Sequence, residues 1–351
     1  MVHQQMAAFG HEQVTHFVDE ETGLEAIVAI HDTTLGPSLG GTRLLPYESH
    51  DDALTDVLRL SRAMTYKAAA SDLDLGGGKA VIVADPTEKT EAFVRAYGRM
   101  IDRLGGHYIT SVDVNTGVGD MDLIAEETDH VVGTRAGLGD PSPITSRGVF
   151  EGLRACVEAT YGTTDVSGLS VTIQGVGKVG SGLAELLVDH GADVTVSDMN
   201  EDAMNDVARE YGLETVAPDN VYSTDCDVFA PCAVGGVVND ETIPQLTCDV
   251  VAGGANNILE RREHAEALLE RDILYAPDYV INAGGLITVA AEHTGDSQED
   301  ALADAIAIGD RMSELIDRAE SEDTTVLEAA DRYARERIES ASDEPVAQSA
   351  D

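Results

Sequence analysis

The stretch VSGLSVTIQGVGKVGSGLAELLVDHGADVTVSDMN, residues 166–200, limits the possible folds more than any other part of the chain. An apolar run is followed by a glycine-rich turn, a helical segment and a second apolar run ending in an acid, in about the 30 residues that one βαβ unit takes. Its Gly175-x-Gly177-x-x-Gly180 motif follows the strand LSVTIQ directly and opens the helix. The glycines permit a tight turn, close approach of backbone to a pyrophosphate at the helix N-terminus, and close packing of helix on strand. Asp198, ending the second strand, can accept hydrogen bonds from a ribose 2′-hydroxyl and would repel a 2′-phosphate. The spacing therefore predicts a Rossmann-type unit with NAD, rather than NADP, as cofactor.

Strands and helices alternate elsewhere too, so the class is α/β. EAIVAIHD (25–32), KAVIVADP (79–86) and HYITSVDV (107–114) read as strands. Ser49 opens an amphipathic helix containing Leu54, Val57, Leu58 and Leu60, and Pro86 suits the start of a second helix ending on Gly105. The Gly, Pro and Ser of VVGTRAGLGDPSPITS mark a hinge or loop near 135–145. From about 283 to 341 only helical periodicity remains, and the final SDEPVAQSAD reads as a disordered tail.

Charge narrows the partners. With 22 basic against 65 acidic residues the net charge is −43, spread along the whole chain. Nucleic acid and anionic membrane surfaces are bound through basic patches, so neither is an expected partner. Such self-repulsion is tolerable in a salt-rich cell, which suggests a halophile's protein. No apolar run approaches the about 18 residues a membrane span needs, and the N-terminus lacks a signal-peptide pattern, so we expect a soluble cytoplasmic protein. Cys156, Cys226, Cys232 and Cys248 form no C-x-x-C pair and read as small buried hydrophobes, with no metal site expected.

The chain has only four lysines, Lys67, Lys79, Lys89 and Lys178. Lys67 ends the first amphipathic helix, and Lys79 follows Gly76-Gly77-Gly78, where missing side chains let a substrate approach the backbone. Two lysines close together in a dry cleft would depress each other's pKa, and Asp113 would supply a carboxylate for proton transfer. Three motif look-alikes fail. GGGKA lacks the first glycine and the Ser or Thr of a P-loop. HEQVTH spaces its histidines five apart, which does not put them on one helix face for zinc. Gly36-Pro37-Ser38-Leu39-Gly40 leads into GTRLLPY, which is not a helix as a nucleophile elbow requires.

GPSLGGTR (36–43), LSRAMTYK (60–67), DLGGGKAVI (74–82), DVFAPCA (227–233), GGANN (253–257) and YAPDYVINAGG (275–285) together resemble the amino-acid dehydrogenases acting on glutamate, leucine, phenylalanine and valine. The likeness spans roughly residues 20–340 and is nearest the leucine and valine branch. It implies a substrate-binding and oligomerisation domain over 1–140 and a Rossmann-type NAD domain over 141–325. A C-terminal helix over 326–341 returns to the first domain, and a disordered tail occupies 342–351. The active site is expected in a cleft that closes to exclude water.

By the same resemblance, Lys67 grips the substrate α-carboxylate with the backbone of Gly40 and Gly41. Lys79 polarises the water that attacks the imino carbon, and Asp113 shuttles protons to and from the amino group. Thr145, Ala233, Asn256 and Asn282 match positions near the nicotinamide and its ribose. The glutamate branch holds the side-chain carboxylate with a lysine and a serine where this chain has Leu39 and Val289. A carboxylate buried there would lack a partner, at a cost of several kcal/mol, so Leu39, Leu286 and Val289 imply an apolar substrate side chain. The expected reaction is NAD-dependent reversible oxidative deamination of leucine, valine or isoleucine to the 2-oxo acid and ammonium, by a homo-oligomer. Phenylalanine or glutamate dehydrogenase of the same family, a 2-hydroxy-acid dehydrogenase and a non-catalytic NAD sensor are the alternatives. Neither of the last two needs Lys67, Lys79 and Asp113 together.

Overall fold

The computed structural model describes residues 2–342, so that from 343 the tail expected at 342–351 lies outside the described residues. The chain divides into two units. Among the described residues, one comprises 2–139, Val289–Asp296 and 333–342; the other comprises Asp140–Thr288 and Ser297–Arg332.

The first unit is built from α1 (Val2–Phe9), β1 (Gln13–Asp19), β2 (Leu24–Asp32), β3 (Ser38–Leu45), α2 (His50–Ala70), β4 (Gly76–Val83), α3 (Glu91–Asp102), β5 (Tyr108–Val112) and α4 (Val118–Ala125). Its sheet has the order β1-β2-β4-β3-β5. β2 runs antiparallel to β1 and β4, whereas β3 is parallel to β4 and β5. Alternation along the strands serves two cores. Ile27, Ala29 and Val81 meet Leu54, Val57 and Leu58 of α2 on one face, while Val28, Ile30, Ala80 and Ile82 meet Phe93, Val94 and Tyr97 of α3 on the other.

Local chemistry sets the helix starts. Ser49 caps α2 by accepting from the Asp52 amide at 3.1 Å. Pro86 opens only a short 3-10 turn, Pro86–Glu88, and α3 begins at Glu91 because Thr90 caps it. The strand expected from Lys79 begins at Gly76, so the three glycines lie inside β4. The apolar pattern does not show β3, because paired glycines interrupt it, yet the strand is central to the sheet. Gly77 explains the close packing of α2: a Cβ there would collide with the Thr65 backbone nitrogen.

The second unit contains α5 (Ser142–Tyr161), β6 (Ser170–Gln174), α6 (Lys178–Asp189), β7 (Asp193–Ser197), α7 (Glu201–Tyr211), β8 (Glu214–Thr215), β9 (Val228–Pro231), β10 (Val250–Val251), α8 (His264–Leu269), β11 (Leu274–Tyr275) and α9 (Asp278–Ile281). α10 (Gly284–Thr294), α11 (Gln298–Ile306), α12 (Ile308–Glu322) and α13 (Val326–Ser342) follow, as the helical periodicity predicts. All six strands are parallel, in the order β11-β10-β9-β6-β7-β8. The chain leaves β6 toward β7 and later returns on its other side at β9, which places a topological switch point at the end of β6. The fold is thus a mixed sheet plus a Rossmann-type parallel sheet, with helices at the C-terminal end.

Replacing Gly77 with alanine is expected to lower stability by roughly 1–3 kcal/mol through overpacking against α2. Gly119→Ala in α4, where a Cβ meets open space, should be neutral or gain up to about 1 kcal/mol. Urea midpoints of the two variants check this, and equal midpoints would remove the close approach as a constraint.

Candidate active site

Strand periodicity brings the chemistry of the first unit to one sheet face. Leu39, Gly41 and Arg43 alternate along β3, as Gly77 and Lys79 do along β4, and Gly77 and Val81 mark that face as the one covered by α2. Lys67, half-buried, lies in the last turn of α2. Asp113 follows the end of β5, and Gly41 makes room for it: a Cβ at Gly41 would press on the Asp113 Cβ, at 2.8 Å. The hydroxyl of Tyr108, buried beneath the glycine pair, donates to the Gly40 carbonyl at 2.7 Å.

Lys79 is only 8% exposed, and its Nζ is ion-paired with Asp113 Oδ2. Arg43 Nε stands 3.6 Å from the same oxygen. Asp113 Oδ1 accepts from the Val114 amide at 2.7 Å, while the Asp113 amide donates to Thr116 Oγ1. Burial alone would raise the Asp113 pKa, but the charge and hydrogen bond of Lys79, with Arg43 and the Val114 amide, hold it below its ordinary value. The carboxylate is therefore oriented, ionised and next to an amine. Such a pair can move a proton and polarise a water molecule.

In the second unit the glycine loop leaves β6 at the switch point. Gly175 has φ +102, a left-handed conformation, and a Cβ there would meet Ala233 at 2.6 Å. Gly177 is the N-cap of α6 and a Cβ there meets nothing within 4 Å. Open space in front of a helix N-terminus fits a pyrophosphate. Asp198 follows β7 and accepts from the Val176 amide at 2.8 Å and the Asn200 amide at 2.8 Å. The acid is thereby tied to the loop, and each carboxylate oxygen keeps further acceptor capacity for a ribose.

Thr145, in the first turn of α5, donates to the Pro141 carbonyl and packs against Gly284. Asn282, 4% exposed, donates to the Ala255 carbonyl at 3.1 Å and to Asn256 Oδ1 at 2.9 Å. Thr145, the glycines, Asp198, Ala233, Asn256 and Asn282 all belong to this unit. Of the three expected pocket residues, Leu39 is buried in β3 and Leu286 in α10, with Val289 half-buried one turn further on. Lys89 pairs with Asp120 and Lys178 with Asp140, both at 2.7 Å. The sequence motifs single out no role for Arg43, because paired glycines hide its strand; its place two residues after Gly41 is the signal.

The two HEQVTH histidines lie in different surroundings. His16 lies in β1, and His11 Nε2 is 2.7 Å from Ser61 Oγ. No group of His, Cys, Asp and Glu among the described residues could hold a metal ion. His31 Nε2 faces the Phe9 carbonyl at 3.1 Å, so it carries the proton and Nδ1 accepts from Thr65 Oγ1.

A glycine loop opening a helix after a parallel strand, and a buried lysine–carboxylate pair on the other α/β unit, fit a nucleotide-dependent oxidoreductase. Residues 11–130 match the Glu/Leu/Phe/Val dehydrogenase dimerisation domain, and residues 195–345 match the glutamate/leucine/phenylalanine/valine dehydrogenase domain. Leucine dehydrogenase of Geobacillus stearothermophilus is 47% identical over 95% of this chain and 92% of its own length. Phenylalanine dehydrogenase of Bacillus thermotolerans is 46% identical over 93% and 88%. The crystal structure of L-tryptophan dehydrogenase from Nostoc punctiforme superposes with a TM-score of 0.89 at 43% identity, covering 97% of this chain and all of that one. The chain belongs to the Glu/Leu/Phe/Val dehydrogenase family.

Burial, with His31 and Arg62 nearby, pushes His11 down to about 4. Its folded pKa thus lies below the unfolded value of about 6.5, so its contribution to stability is complete above about pH 6.5 and is lost as pH falls toward 4. The difference in denaturation midpoint between wild type and His11→Gln is expected to shrink from pH 7 to pH 5. A constant difference would remove His11 from the acid response.

Proposed function

We propose that the protein catalyses reversible oxidative deamination of a branched-chain L-amino acid. The amino acid, NAD and water give the 2-oxo acid, ammonium, NADH and a proton. The Lys79–Asp113 pair carries this reading, because it sets a carboxylate and an amine together on a buried face beside paired glycines. The identity to leucine dehydrogenases over nearly the whole chain supports it.

Bound NAD would supply the hydride acceptor for the substrate α-carbon. Gly175, Gly177 and Gly180 would hold its pyrophosphate and Asp198 its adenine ribose, with Thr145, Ala233, Asn256 and Asn282 at the nicotinamide end. Lys67 and the Gly40 and Gly41 backbone would pair with the substrate carboxylate. Asp113, held ionised, takes a proton from the substrate ammonium so that the nitrogen lone pair can assist oxidation. Lys79 then polarises the water that adds to the imino carbon and stabilises the oxygen it becomes. Leu39, Leu286 and Val289 favour an apolar side chain. A second reading, an aromatic substrate, is supported by the nearly equal identity to tryptophan and phenylalanine dehydrogenases.

Lys79→Ala should abolish turnover while NADH still binds, since Lys79 lies outside the nucleotide-binding unit. NADH oxidation with ammonium, comparing 4-methyl-2-oxopentanoate, phenylpyruvate, indolepyruvate and 2-oxoglutarate, tests the substrate class. The first should be fastest; preference for 2-oxoglutarate would overturn the apolar pocket, and retained activity in Lys79→Ala would overturn the role of that lysine.

The reading also includes a homo-oligomer working in the cytoplasm of a salt-rich cell. No helix among the described residues is long and apolar enough to cross a membrane. The net charge of −43 supports adaptation to salt, because screening relieves its self-repulsion. The melting temperature should rise between about 0.1 M and about 3 M KCl, where the screening length falls below about 3 Å. A flat or falling dependence counts against the halophilic reading.

A further inference from the structure

We infer that Arg43 is a positioning residue for proton transfer: its guanidinium, clamped from behind by Asp56, holds the Asp113 carboxylate against Lys79. The inference rests on the reading of Asp113 as the proton carrier. Asp113 Oδ1 is fixed by the Val114 amide, which leaves Oδ2 to face both Lys79 and Arg43. Arg43 turns a second edge toward α2, where Nη1 donates to Asp56 Oδ2 at 3.1 Å. That same oxygen accepts from the Tyr47 hydroxyl at 2.8 Å, while Asp56 Oδ1 pairs with Arg59 at 2.9 Å.

From Arg59 through Asp56, Arg43 and Asp113 to Lys79 the charges alternate in sign. Side-chain exposure is 56% at Arg59 but between 10% and 20% at each of the other four. Water screens the outer end, so the inner pairs feel one another most strongly. An ion pair serving only to pin β3 to α2 would need Asp56 alone; the approach of Nε to Asp113 adds a contact with the proton carrier. Arginine also keeps its charge at every working pH, whereas a lysine that handles protons does not. Arg43 therefore supplies Asp113 with a constant positive neighbour. The groups facing Asp113 are Lys79 from β4, Arg43 from β3 with Asp56 of α2 behind it, and the Tyr47 hydroxyl after β3; Lys67 lies at the end of α2.

The test is the pH profile of kcat/KM for oxidative deamination at fixed high salt, with folding checked by thermal melting. Arg43→Gln should move the acid limb upward by about 1 unit. Arg43→Lys should return most of that shift. Asp56→Asn should leave the limb in place or lower it, since the amide oxygen can still accept from Arg43 while the anion behind the guanidinium is gone. An Arg43→Gln limb at the wild-type position would overturn the inference, and so would an upward move in Asp56→Asn, which would indicate general loosening. If Arg43→Gln does not fold, the direction in Asp56→Asn decides. Asp113→Asn separates the two levels of argument: full turnover there removes Asp113 as the proton carrier, whatever Arg43 does.

Discussion

The close approach of α2 to β4 is the constraint on which the first unit depends. Lys67, Asp56 and Thr65 come from the helix, and Lys79 from the strand beneath it. A side chain at Gly77 would hold the two apart, because its Cβ would occupy the space of the Thr65 backbone. The glycines of β4 cost backbone entropy, yet their absence of side chains lets a long helix lie directly over a strand. The cost is offset by Leu54, Val57 and Leu58 packing on Ile27, Ala29 and Val81 further along the same helix. The end of the face near Gly77 is opened by glycine and the far end is held shut by ordinary hydrophobic packing.

Against a net charge of −43, the buried ion pair has to be read with its neighbours. A lone buried carboxylate would take up a proton, and a lone buried amine would lose one. Asp113 escapes this because two cations and a backbone amide meet its two oxygens. In a chain with so few lysines, Lys79, Lys89 and Lys178 each meet a carboxylate. The basic residues here act as local partners rather than as a surface field. That separation lets an acidic surface coexist with a buried site of the opposite local balance.

How much of this was legible in the sequence follows from the range over which each interaction acts. The β6–α6–β7 unit was readable because glycine turn, helix cap and terminal acid all lie within one contiguous stretch. Ser49 as a cap and the helical C-terminal region were readable for the same reason. β3 was not, since its glycines hide the alternation of Leu39, Arg43 and Leu44, and its strand character comes from β4 and β5 on either side. Losing β3 also hid Arg43. The scarcity of lysine singled out Lys79, but its pairing with Asp113 is a tertiary fact: β3 lies between β4 and β5 and brings their ends within reach.

The nucleotide-binding unit applies the same logic with fewer charges. Asp198 spends one hydrogen bond on the Val176 amide inside the glycine loop and one on the Asn200 amide that starts the next helix. Asp198 is therefore also a strut of the glycine loop that opens α6. Moving that carboxylate would move the Gly175–Gly177 backbone with it. Ala233 sits against Gly175 from the neighbouring strand, so the loop is braced from both sides of the switch point. A fingerprint of three glycines is weak when it stands alone. Here its geometry is imposed by an acid after β7 and a small residue after β9, and that bracing gives the short motif a defined shape.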